Sequence, residues 1–409
     1  GVIAKNNRGN SVRQTKKRRW GRWLLLGLVI GVIAGIAIYG SYDYLYVRPQ
    51  IAAKEERARR QYETELNRHR AIEQRLQNQA KADTGTTNKL MQPVDSPDAK
   101  PLLAKLQAAH FSGTVLMMRK GKVILNTGLG YADVDSGRLN GPETLYQIGS
   151  IQKGLTAVLL MKLVEQGKVR LSDPIGHYFT GIRTGKKVTL RMMLDMRSGL
   201  TLPRAQPAKL SDAGIVRWSI ANLNYETPRY DYQPVNFVLL AGVIEKVTGR
   251  LYADLIQQEI FKRLALTHSG FMPELYREQN QAFGYNGPKA DPYSKRYIEP
   301  ALSYNRELGT GNIYASAGDL YQIMAGINQG KIISRSAVMQ LRDLSQGQYT
   351  AGVYNFGSYT LTHGVVAAHS AATVMDSSGQ NAVVLMANAG QITRDLAQSL
   401  FLDMIKGVK

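Results

Sequence analysis

The sequence predicts an α+β fold of the α/β-sandwich kind, in which one antiparallel sheet is built from both chain ends and flanked by helices. Two β-like runs, 113–118 and 122–126, enclose a turn that ends at Gly121 and so predict a hairpin. Three further β-like runs lie near the C-terminus, at 359–362, 367–375 and 382–386. The segment between them, about 155–345, has mostly helical periodicity, which predicts a large helical subdomain inserted into the sheet.

The N-terminal region predicts a membrane anchor. An apolar span, 23–38, carries no charge and is long enough to cross most of a bilayer. Basic residues precede this span: Lys16, Lys17, Arg18, Arg19 and Arg22. Because basic flanks stay in the cytoplasm, we expect a cytoplasmic tail over 1–22, a single transmembrane helix over 23–42 and an extracytoplasmic body at the cell membrane. A cleaved signal peptide is the alternative, with Gly35-Ile36-Ala37 as its processing site.

Residues 43–100 predict a helical stalk followed by a loose linker. The stretch 51–79 is charged, lacks Gly and Pro, and places Glu55 four residues before Arg59, a spacing that supports a solvated helix. The stretch 82–100 contains Thr, Asn, Asp and Pro, as linkers do. The folded domain is therefore expected to cover 101–409.

Three segments of the helical subdomain have the clearest helical pattern: 190–196, 235–247 and 315–329. An amphipathic helix over about 392–406 closes the chain. Since the sheet is built from both chain ends and the helical subdomain is inserted between them, we expect the active-site cleft to run between sheet and subdomain.

One short pattern predicts the chemistry. Ser150 and Lys153 form the only Ser-x-x-Lys pair in the 409 residues, just before a long apolar run. Residues three positions apart share a face of a helix, so the lysine stem can lie against the hydroxyl. A serine alcohol becomes a good nucleophile when a neighbouring base takes its proton, and a desolvated lysine can do so. Gly149 permits a tight turn, and the backbone N–H of Ser150 is available for an oxyanion.

A lysine serves as a base near neutral pH only if its pKa falls from about 10.4 toward 7, a shift of roughly 4 to 5 kcal/mol. Burial and nearby positive charge are expected to supply this shift. A helix that is apolar all round lies inside a protein, and the apolar residues after Lys153 are Leu155, Ala157, Val158, Leu159, Leu160, Met161, Leu163 and Val164. Coincidence is the alternative, since a chain of this size holds about one or two Ser-x-x-Lys pairs by chance.

Composition narrows the classes of partner and cofactor. The net charge of +21 extends into the folded part, but no run of Lys and Arg interleaved with aromatic residues occurs there. An anionic envelope polymer or a membrane is therefore favoured over nucleic acid. Cysteine is absent, which excludes disulfides and thiolate metal sites, and the six histidines lack the spacing of metal ligands. We expect no metal and no cofactor.

With two further segments, the Ser-x-x-Lys pair resembles the serine β-lactamase and penicillin-binding-protein superfamily, particularly its low-molecular-mass, esterase-like branch. The segment 194–200, Leu-Asp-Met-Arg-Ser-Gly-Leu, is similar to the loop after the family's catalytic helix. The segment 236–249 is similar to the helix after the family's second motif. The resemblance covers roughly residues 101–405 and implies a β-lactamase/transpeptidase-like fold with an acyl-Ser150 intermediate.

The family's second motif, Tyr-x-Asn, corresponds to Tyr232-Gln233-Pro234. The resemblance implies that Tyr232 relays a proton to the leaving group, and Tyr230 is the alternative if the alignment slips by two residues. In relatives the asparagine helps to hold the side-chain amide of the acyl group, whereas Pro234 offers neither a side-chain donor nor a backbone N–H. Peptide recognition is therefore expected to be weak.

The third motif, Lys-Thr-Gly or His-x-Gly on a strand at the sheet edge, corresponds to His363-Gly364-Val365. By analogy, the N–H groups of Ser150 and Val366 form an oxyanion hole, and His363 and Gly364 line the substrate site. A lysine there would bind the free carboxylate of D-Ala-D-Ala, whereas a histidine with a pKa of about 6.5 is mostly neutral at pH 7. An ordinary strand histidine is the alternative interpretation of His363.

Pro234 and His363 each depart from a family motif. Together they indicate a substrate with a small acyl group and a leaving group that has no carboxylate. D-alanine esters of teichoic acids fit this description, and membrane-anchored teichoic-acid D-alanine esterases occur in the superfamily. We therefore expect an extracytoplasmic serine hydrolase that removes D-alanine esters from teichoic or lipoteichoic acid through a D-alanyl-Ser150 intermediate. Three alternatives remain: a D-Ala-D-Ala carboxypeptidase acting on peptidoglycan stem peptides, a non-catalytic wall-binding or sensing protein, and a carboxylesterase for lipid-like esters.

Overall fold

The computed structural model of the chain describes residues 10–54, 56, 89–343, 348–389 and 393–406. The chain divides into two units, Gly1–Thr64 and Glu65–Lys409, and each is described by itself. Most of the helical stalk predicted over 51–79 lies outside the described residues.

The described part of the N-terminal unit is helical. Helix α1 (Asn10–Tyr42) runs into a π-type turn, Asp43–Val47, and the helical conformation continues to Lys54. Between Arg19 and Lys54 the helix contains an 18-residue window with a mean hydropathy of 2.3, none of it buried, which is enough to cross a membrane. A signal sequence near an N-terminus meets the same criteria, so the anchor and its orientation stay predictions.

Strands from both ends of the C-terminal unit form one eight-stranded antiparallel sheet. In chain order, the strands of the described residues are β1 (Val94–Asp95), β2 (Gly113–Arg119), β3 (Lys122–Leu129), β4 (Tyr131–Asp133), β5 (Arg138–Leu139), β6 (Tyr146–Gln147), β7 (Leu200–Thr201), β8 (Asn224–Tyr225), β9 (Ser269–Phe271), β10 (Ile313–Ala315), β11 (Tyr349–Thr350), β12 (Val353–Asn355), β13 (Tyr359–Val366), β14 (His369–Asp376) and β15 (Ala382–Ala387). The large sheet has the order β1-β3-β2-β15-β14-β13-β12-β11. Because β2 pairs with β15 inside it, the predicted sheet built from both chain ends is confirmed.

The inserted segment is mainly helical, as predicted. The α-helices of the C-terminal unit are α2 (Lys100–Ala108), α3 (Gln152–Glu165), α4 (Leu190–Leu194), α5 (Asp212–Ala221), α6 (Val235–Thr248), α7 (Tyr252–Ile256), α8 (Ala301–Asn305), α9 (Ala317–Asn328), α10 (Arg335–Leu341) and α11 (Arg394–Lys406). The predicted helices correspond to α4, α6, α9 and the closing α11. Small sheets, β6-β10-β9 and β7-β8, also lie in or next to the insertion.

Local sequence sets the ends of these helices. Helix α6 follows Pro234 and ends at Gly249, whose φ of +68° is a left-handed conformation that glycine adopts without strain. Helix α9 begins at Ser316, whose side chain accepts a hydrogen bond from the backbone N–H of Asp319. These caps satisfy backbone groups that have no partner inside the helix.

Burial accounts for the central position of β15 and of helix α3. Every residue of β15 is fully buried, and helices α9 and α11 pack against it, as a strand that is covered on both faces requires. Helix α3 packs against α6 and α10, and its residues from Gln152 to Met161 are all buried. The prediction that the helix after Ser150 lies inside the protein is therefore confirmed.

Residues 89–100, predicted as part of a loose linker over 82–100, belong to the folded domain. Strand β1 pairs with β3 at the edge of the sheet. The amide of Asn126 on β3, which is fully buried, donates to the carbonyl oxygens of Leu90 at 2.8 Å and Gln92 at 3.1 Å. A buried amide needs partners, and these residues supply them. The described fold therefore starts at Lys89.

Candidate active site

Ser150 and Lys153 meet at the start of helix α3. Ser150 lies in a 3₁₀ turn, Gly149–Ile151, that leads directly into the helix. The Nζ of Lys153 donates to the Oγ of Ser150 over 2.7 Å, and the lysine side chain is 1% exposed. The structure thus brings together the two residues predicted as nucleophile and base, at hydrogen-bond distance.

The environment of Lys153 prepares it to act as a base. Burial lowers the pKa of its ammonium group from 10.5 to about 8, and the carboxylate of Glu307 opposes this shift. The lowering corresponds to about 3 kcal/mol. Burial acts as the sequence predicted, but the predicted nearby positive charge is wrong, since the charged neighbour that acts on Lys153 is negative. A local sequence motif does not predict that Glu307 lies close to Lys153 in the folded chain.

We expect kcat/KM toward a neutral acetyl ester to rise with pH and to level off above about 8. Lys153 takes a proton only in its neutral form, so the rate should fall about tenfold per pH unit below that pKa. Initial rates over roughly pH 5.5 to 9.5 test this, with the Tyr232 phenol and the Glu307 carboxylate as the neighbouring titratable groups. A profile that is already level at pH 6 would show that another group is the base.

Hydrogen bonds from the β10 region hold the catalytic helix in place. The Gln152 side chain, fully buried, donates to Oδ1 of Asn312 at 2.8 Å and accepts from the Asn312 backbone N–H at 2.6 Å. One turn later, the Thr156 hydroxyl donates to the carbonyl oxygen of Gly309 at 2.7 Å. These bonds fix the start of α3, and with it the position of Ser150, against the segment that contains Glu307.

Tyr232 is the tyrosine that lies beside the nucleophile pair. The Nζ of Lys153 is 4.9 Å from the centre of the Tyr232 ring. Burial raises the pKa of the Tyr232 phenol, and the neighbouring Ser150 hydroxyl opposes that rise, so the phenol stays protonated at neutral pH. Tyr230, the alternative, is 43% exposed and packs on the ring of Tyr349 at 6.1 Å between ring centres. The geometry favours Tyr232 as the proton donor to a leaving group.

No side-chain amide stands at the position of the family asparagine. Pro234 stands at its position and forms the N-cap of α6. The next amide along, Asn236, is 1% exposed and turned away into the fold, where it accepts from the Ser198 hydroxyl at 2.6 Å and donates to the Gln233 carbonyl oxygen at 3.0 Å. An amide with these partners is occupied in holding the loop.

Strand β13 approaches the 3₁₀ turn Gly149–Ile151, which we call the catalytic turn, so closely that glycine is required at two positions. A Cβ on Gly364 would lie 2.2 Å from the carbonyl oxygen of Ile148 and 2.6 Å from the backbone nitrogen of Ser150. Gly149 has a φ of +53°, and a Cβ there would lie 3.0 Å from the backbone nitrogen of Val365. Gly364, a predicted site residue, is therefore at the site, where it lets the strand pass over Ser150.

The backbone N–H that faces the open edge of β13 beside Gly149 belongs to Val365 and not to Val366, the predicted oxyanion donor. Phe356 donates its N–H to the carbonyl oxygen of Tyr359, on the side of β13 that faces β12. Backbone groups of successive strand residues point to alternate edges, so Val365 faces that same side and Val366 faces β14. Strand β12 pairs only with Thr360 and Leu361, which leaves the Val365 edge open beside Gly149. Thus β13 is an inner strand whose second half acts as an edge.

His363 does not lie with the Ser150–Lys153 pair. Its side chain leaves the strand on the face opposite to that of Gly364. Burial lowers the pKa of its imidazole, the Arg394 charge lowers it further and Asp395 opposes, so the charged groups that act on it stand at the start of helix α11. Its buried Nε2 has no hydrogen-bond partner among the described residues. His363 is thus close to Arg394, and its substrate-binding role stays a prediction.

Glu307 is a site residue that the sequence analysis missed. Its Oε2 accepts from the Thr310 hydroxyl at 2.6 Å, and its charge raises the pKa of both Lys153 and Tyr232. The signal available in the sequence was weak: the segment 307–312 contains Gly309 and Gly311 just before a buried strand, a pattern that indicates close backbone approach.

Fold and site together define a serine hydrolase of the β-lactamase type. The profile of the family described as Beta-lactamase matches residues 70–397, and the chain belongs to this family. The family and the fold class predicted from the Ser-x-x-Lys pair and the neighbouring motifs are confirmed.

Two named relatives and one solved structure are similar to this chain. A Bacillus subtilis (strain 168) protein, provisionally named penicillin-binding protein PbpX, is 31% identical over 304 residues, which cover 72% of this chain and 76% of that protein. The teichoic acid D-alanine hydrolase of Staphylococcus aureus (strain MRSA252) is 30% identical over 281 residues, covering 67% of this chain and 69% of that protein. The crystal structure of FmtA from Staphylococcus aureus matches with a TM-score of 0.70 over 82% of this chain and 95% of that chain, at 24% identity, which is a likeness of fold.

Proposed function

We propose that the chain is a membrane-anchored, extracytoplasmic hydrolase that removes D-alanine esters from teichoic or lipoteichoic acid. The observation that carries the proposal is a complete nucleophile pair, Lys153 Nζ 2.7 Å from Ser150 Oγ, in a site that lacks the family's amide at Pro234 and its lysine on β13. Such a site keeps the chemistry of acyl transfer and has little to hold a peptide. The relative of 30% identity named teichoic acid D-alanine hydrolase supports the same substrate.

The reaction follows from the positions of the side chains. Neutral Lys153 takes the proton of Ser150 Oγ, which attacks the ester carbonyl, and the N–H groups of Ser150 and Val365 hold the oxyanion. The tetrahedral intermediate expels the polymer alkoxide, which receives the proton held by Lys153 through Tyr232. This leaves a D-alanyl ester on Ser150 and a neutral Lys153. Water then attacks this ester with Lys153 as base, and D-alanine and free Ser150 are released.

Charge and topology support an anionic polymer outside the membrane. The chain carries a net charge of +21, which attracts a polyphosphate and raises its local concentration at the site. The apolar helix between Arg19 and Lys54 would hold the hydrolase unit at the membrane surface, where lipoteichoic acid is attached. Ester cleavage also needs less help for the leaving group than amide cleavage does.

Release of D-alanine from two substrates tests the proposal. We expect the full chain in detergent micelles to release D-alanine from D-alanylated lipoteichoic acid and to release little from a pentapeptide muropeptide. Chiral chromatography of the products over time gives both rates, and Ser150→Ala is the blank. Release from the peptide alone would establish the carboxypeptidase instead.

The D-Ala-D-Ala carboxypeptidase is the second candidate, because Arg394 supplies a guanidinium that a stem-peptide carboxylate requires. The guanidinium of Arg394 lies over the ring of Tyr354 at 4.2 Å, and its charge acts on His363 and on Tyr230. A guanidinium there could clamp the carboxylate of a stem peptide in place of the missing lysine, although it would serve a polymer phosphate equally well. Arg394→Gln should therefore slow turnover of whichever substrate is the true one.

A further inference from the structure

Glu307 is held next to the catalytic turn by a short loop of its own. The backbone N–H groups of Thr310 and Gly311 donate to its carbonyl oxygen at 3.1 and 3.2 Å, and the Thr310 hydroxyl donates to its Oε2 at 2.6 Å. The point at which a Cβ on Gly311 would stand is 3.0 Å from Oε2 of Glu307 and 3.3 Å from the carbonyl carbon of Gly149. The absence of a side chain on Gly311 therefore leaves the carboxylate facing the turn that contains Ser150.

This carboxylate works against the catalytic base. It raises the pKa of Lys153, whereas a base at neutral pH needs that pKa lowered. Its other oxygen, Oε1, has no hydrogen-bond partner among the described residues, so the group is not used up in structural bonds. Glu307 makes Lys153 a poorer base at neutral pH and has one carboxylate oxygen available. These two features indicate a role in binding the substrate.

The chemistry of the substrate supplies a matching group. In a D-alanyl ester the carbon next to the attacked carbonyl carries a free α-amino group, which has a pKa of about 7.7 to 8.0 and is mostly an ammonium at pH 7. When the carbonyl carbon lies at Ser150 Oγ, the ammonium nitrogen lies two bonds from that carbon. In a stem peptide the corresponding nitrogen is acylated and uncharged, so it would gain little from a carboxylate.

We propose that Glu307 forms a subsite for the α-ammonium group of a free aminoacyl ester, and that this subsite selects such esters over neutral and N-acylated ones. The inference rests on the proposed esterase function and names the chemical class that the site prefers. An ammonium that donates to Oε1 would also offset the charge of Glu307, so bound substrate would lessen the carboxylate's effect on Lys153.

A matched pair of esters tests the subsite. D-alanyl and D-lactyl esters of one alcohol differ only in an ammonium or a hydroxyl group, so their kcat/KM ratio isolates recognition of the charge. We expect Glu307→Gln to lower the D-alanyl to D-lactyl ratio about tenfold, the loss of one charged hydrogen bond. The control Glu143→Gln changes an exposed carboxylate and should leave the ratio unchanged.

The D-alanyl to D-lactyl ratio separates recognition of the ammonium group from structural changes and from changes in the pKa of Lys153. Loss of the Thr310 bond, or a lower pKa of Lys153, would change both esters alike and cancel in the ratio. An unchanged ratio in Glu307→Gln overturns the subsite. Failure of the wild-type chain to hydrolyse D-alanyl esters at all would instead overturn the proposed function, and the two failures are distinct.

A measurement on the wild-type chain needs no folded variant. After division by the rates of uncatalysed hydrolysis, the D-alanyl to D-lactyl ratio should fall as pH rises through about 7.7, because the amine loses its charge there. The D-lactyl ester carries the contributions of Lys153 and Tyr232 without that of the amine. A ratio that stays flat from roughly pH 6 to 9 would refute the subsite even if Glu307→Gln does not fold.

Discussion

Ser150→Ala is expected to abolish D-alanine release, with kcat/KM lower by about 10⁴-fold or more. The Oγ of Ser150 is the acceptor of the Lys153 hydrogen bond, and the reaction we propose passes through an ester on this oxygen. Removing it deletes the covalent intermediate, and water in the site lacks the alignment of a tethered alcohol. Labelling by a fluorophosphonate probe should disappear together with turnover.

Ser358→Ala is the matched control, because Ser358 is exposed in the turn before β13 and should keep full labelling and turnover. Thermal melting of both variants checks that the fold survives. Persistent turnover or labelling in Ser150→Ala, with the fold intact, would remove the basis of the mechanism. Absence of labelling in the wild-type chain would instead favour a wall-binding or sensing protein.

Lys153→Met is expected to lower kcat/KM by about 10³-fold and at the same time to stabilise the fold. Methionine resembles the lysine stem in length and packs in an apolar interior. The folded pKa of about 8 lies below the unfolded 10.5, so burying the protonated amine costs about 3 kcal/mol at pH 7 and progressively less between pH 8 and 10.5. Methionine removes that cost, although it also removes the bond to Ser150.

The two readouts of Lys153→Met move in opposite directions, which a structural role would not produce. Lys162→Met, on the same helix, removes an ion pair with Glu259 at 2.5 Å and should retain activity while gaining no stability. Denaturant unfolding at pH 7 and at about pH 10 gives the stability, and the gain should shrink at the higher pH. Retained turnover in Lys153→Met would show that this lysine is not the base.

Prediction from sequence succeeded where a pattern is local. Ser150 and Lys153 lie one helical turn apart, so their contact follows from helix geometry once the apolar run predicts a buried helix. Strands β13 to β15 and the closing helix α11 follow from periodicity within a few residues of their bounds. The family motif drew attention to Gly364, and the strand there approaches Ser150 so closely that no side chain fits.

Prediction from sequence failed where the position of a residue depends on strand register or on contacts with distant parts of the chain. The oxyanion donor moved from Val366 to Val365 because strand edges alternate residue by residue, and only the pairing with β12 and β14 reveals which edge is open. The side chain of His363 leaves β13 on the face opposite to that of Gly364, for the same alternation of successive residues. Residues 89–100 have the composition of a linker, and their folded structure depends on distant contacts. Strand β1 pairs with β3, and the carbonyl oxygen of Leu90 accepts a hydrogen bond from the Asn126 side chain on β3.

The sequence by itself determined the Ser150–Lys153 pair, the buried helix that follows it and the individual strands near the C-terminus, because each depends on neighbours a few residues apart. The tertiary structure alone decided the electrostatics of the site. Glu307 is 154 positions from Lys153 in the chain, and its charge acts on the amine because tertiary hydrogen bonds, such as that from Gln152 to Asn312, join the two segments. Charges act through space in a low-dielectric interior, and their distances exist only once the chain has folded.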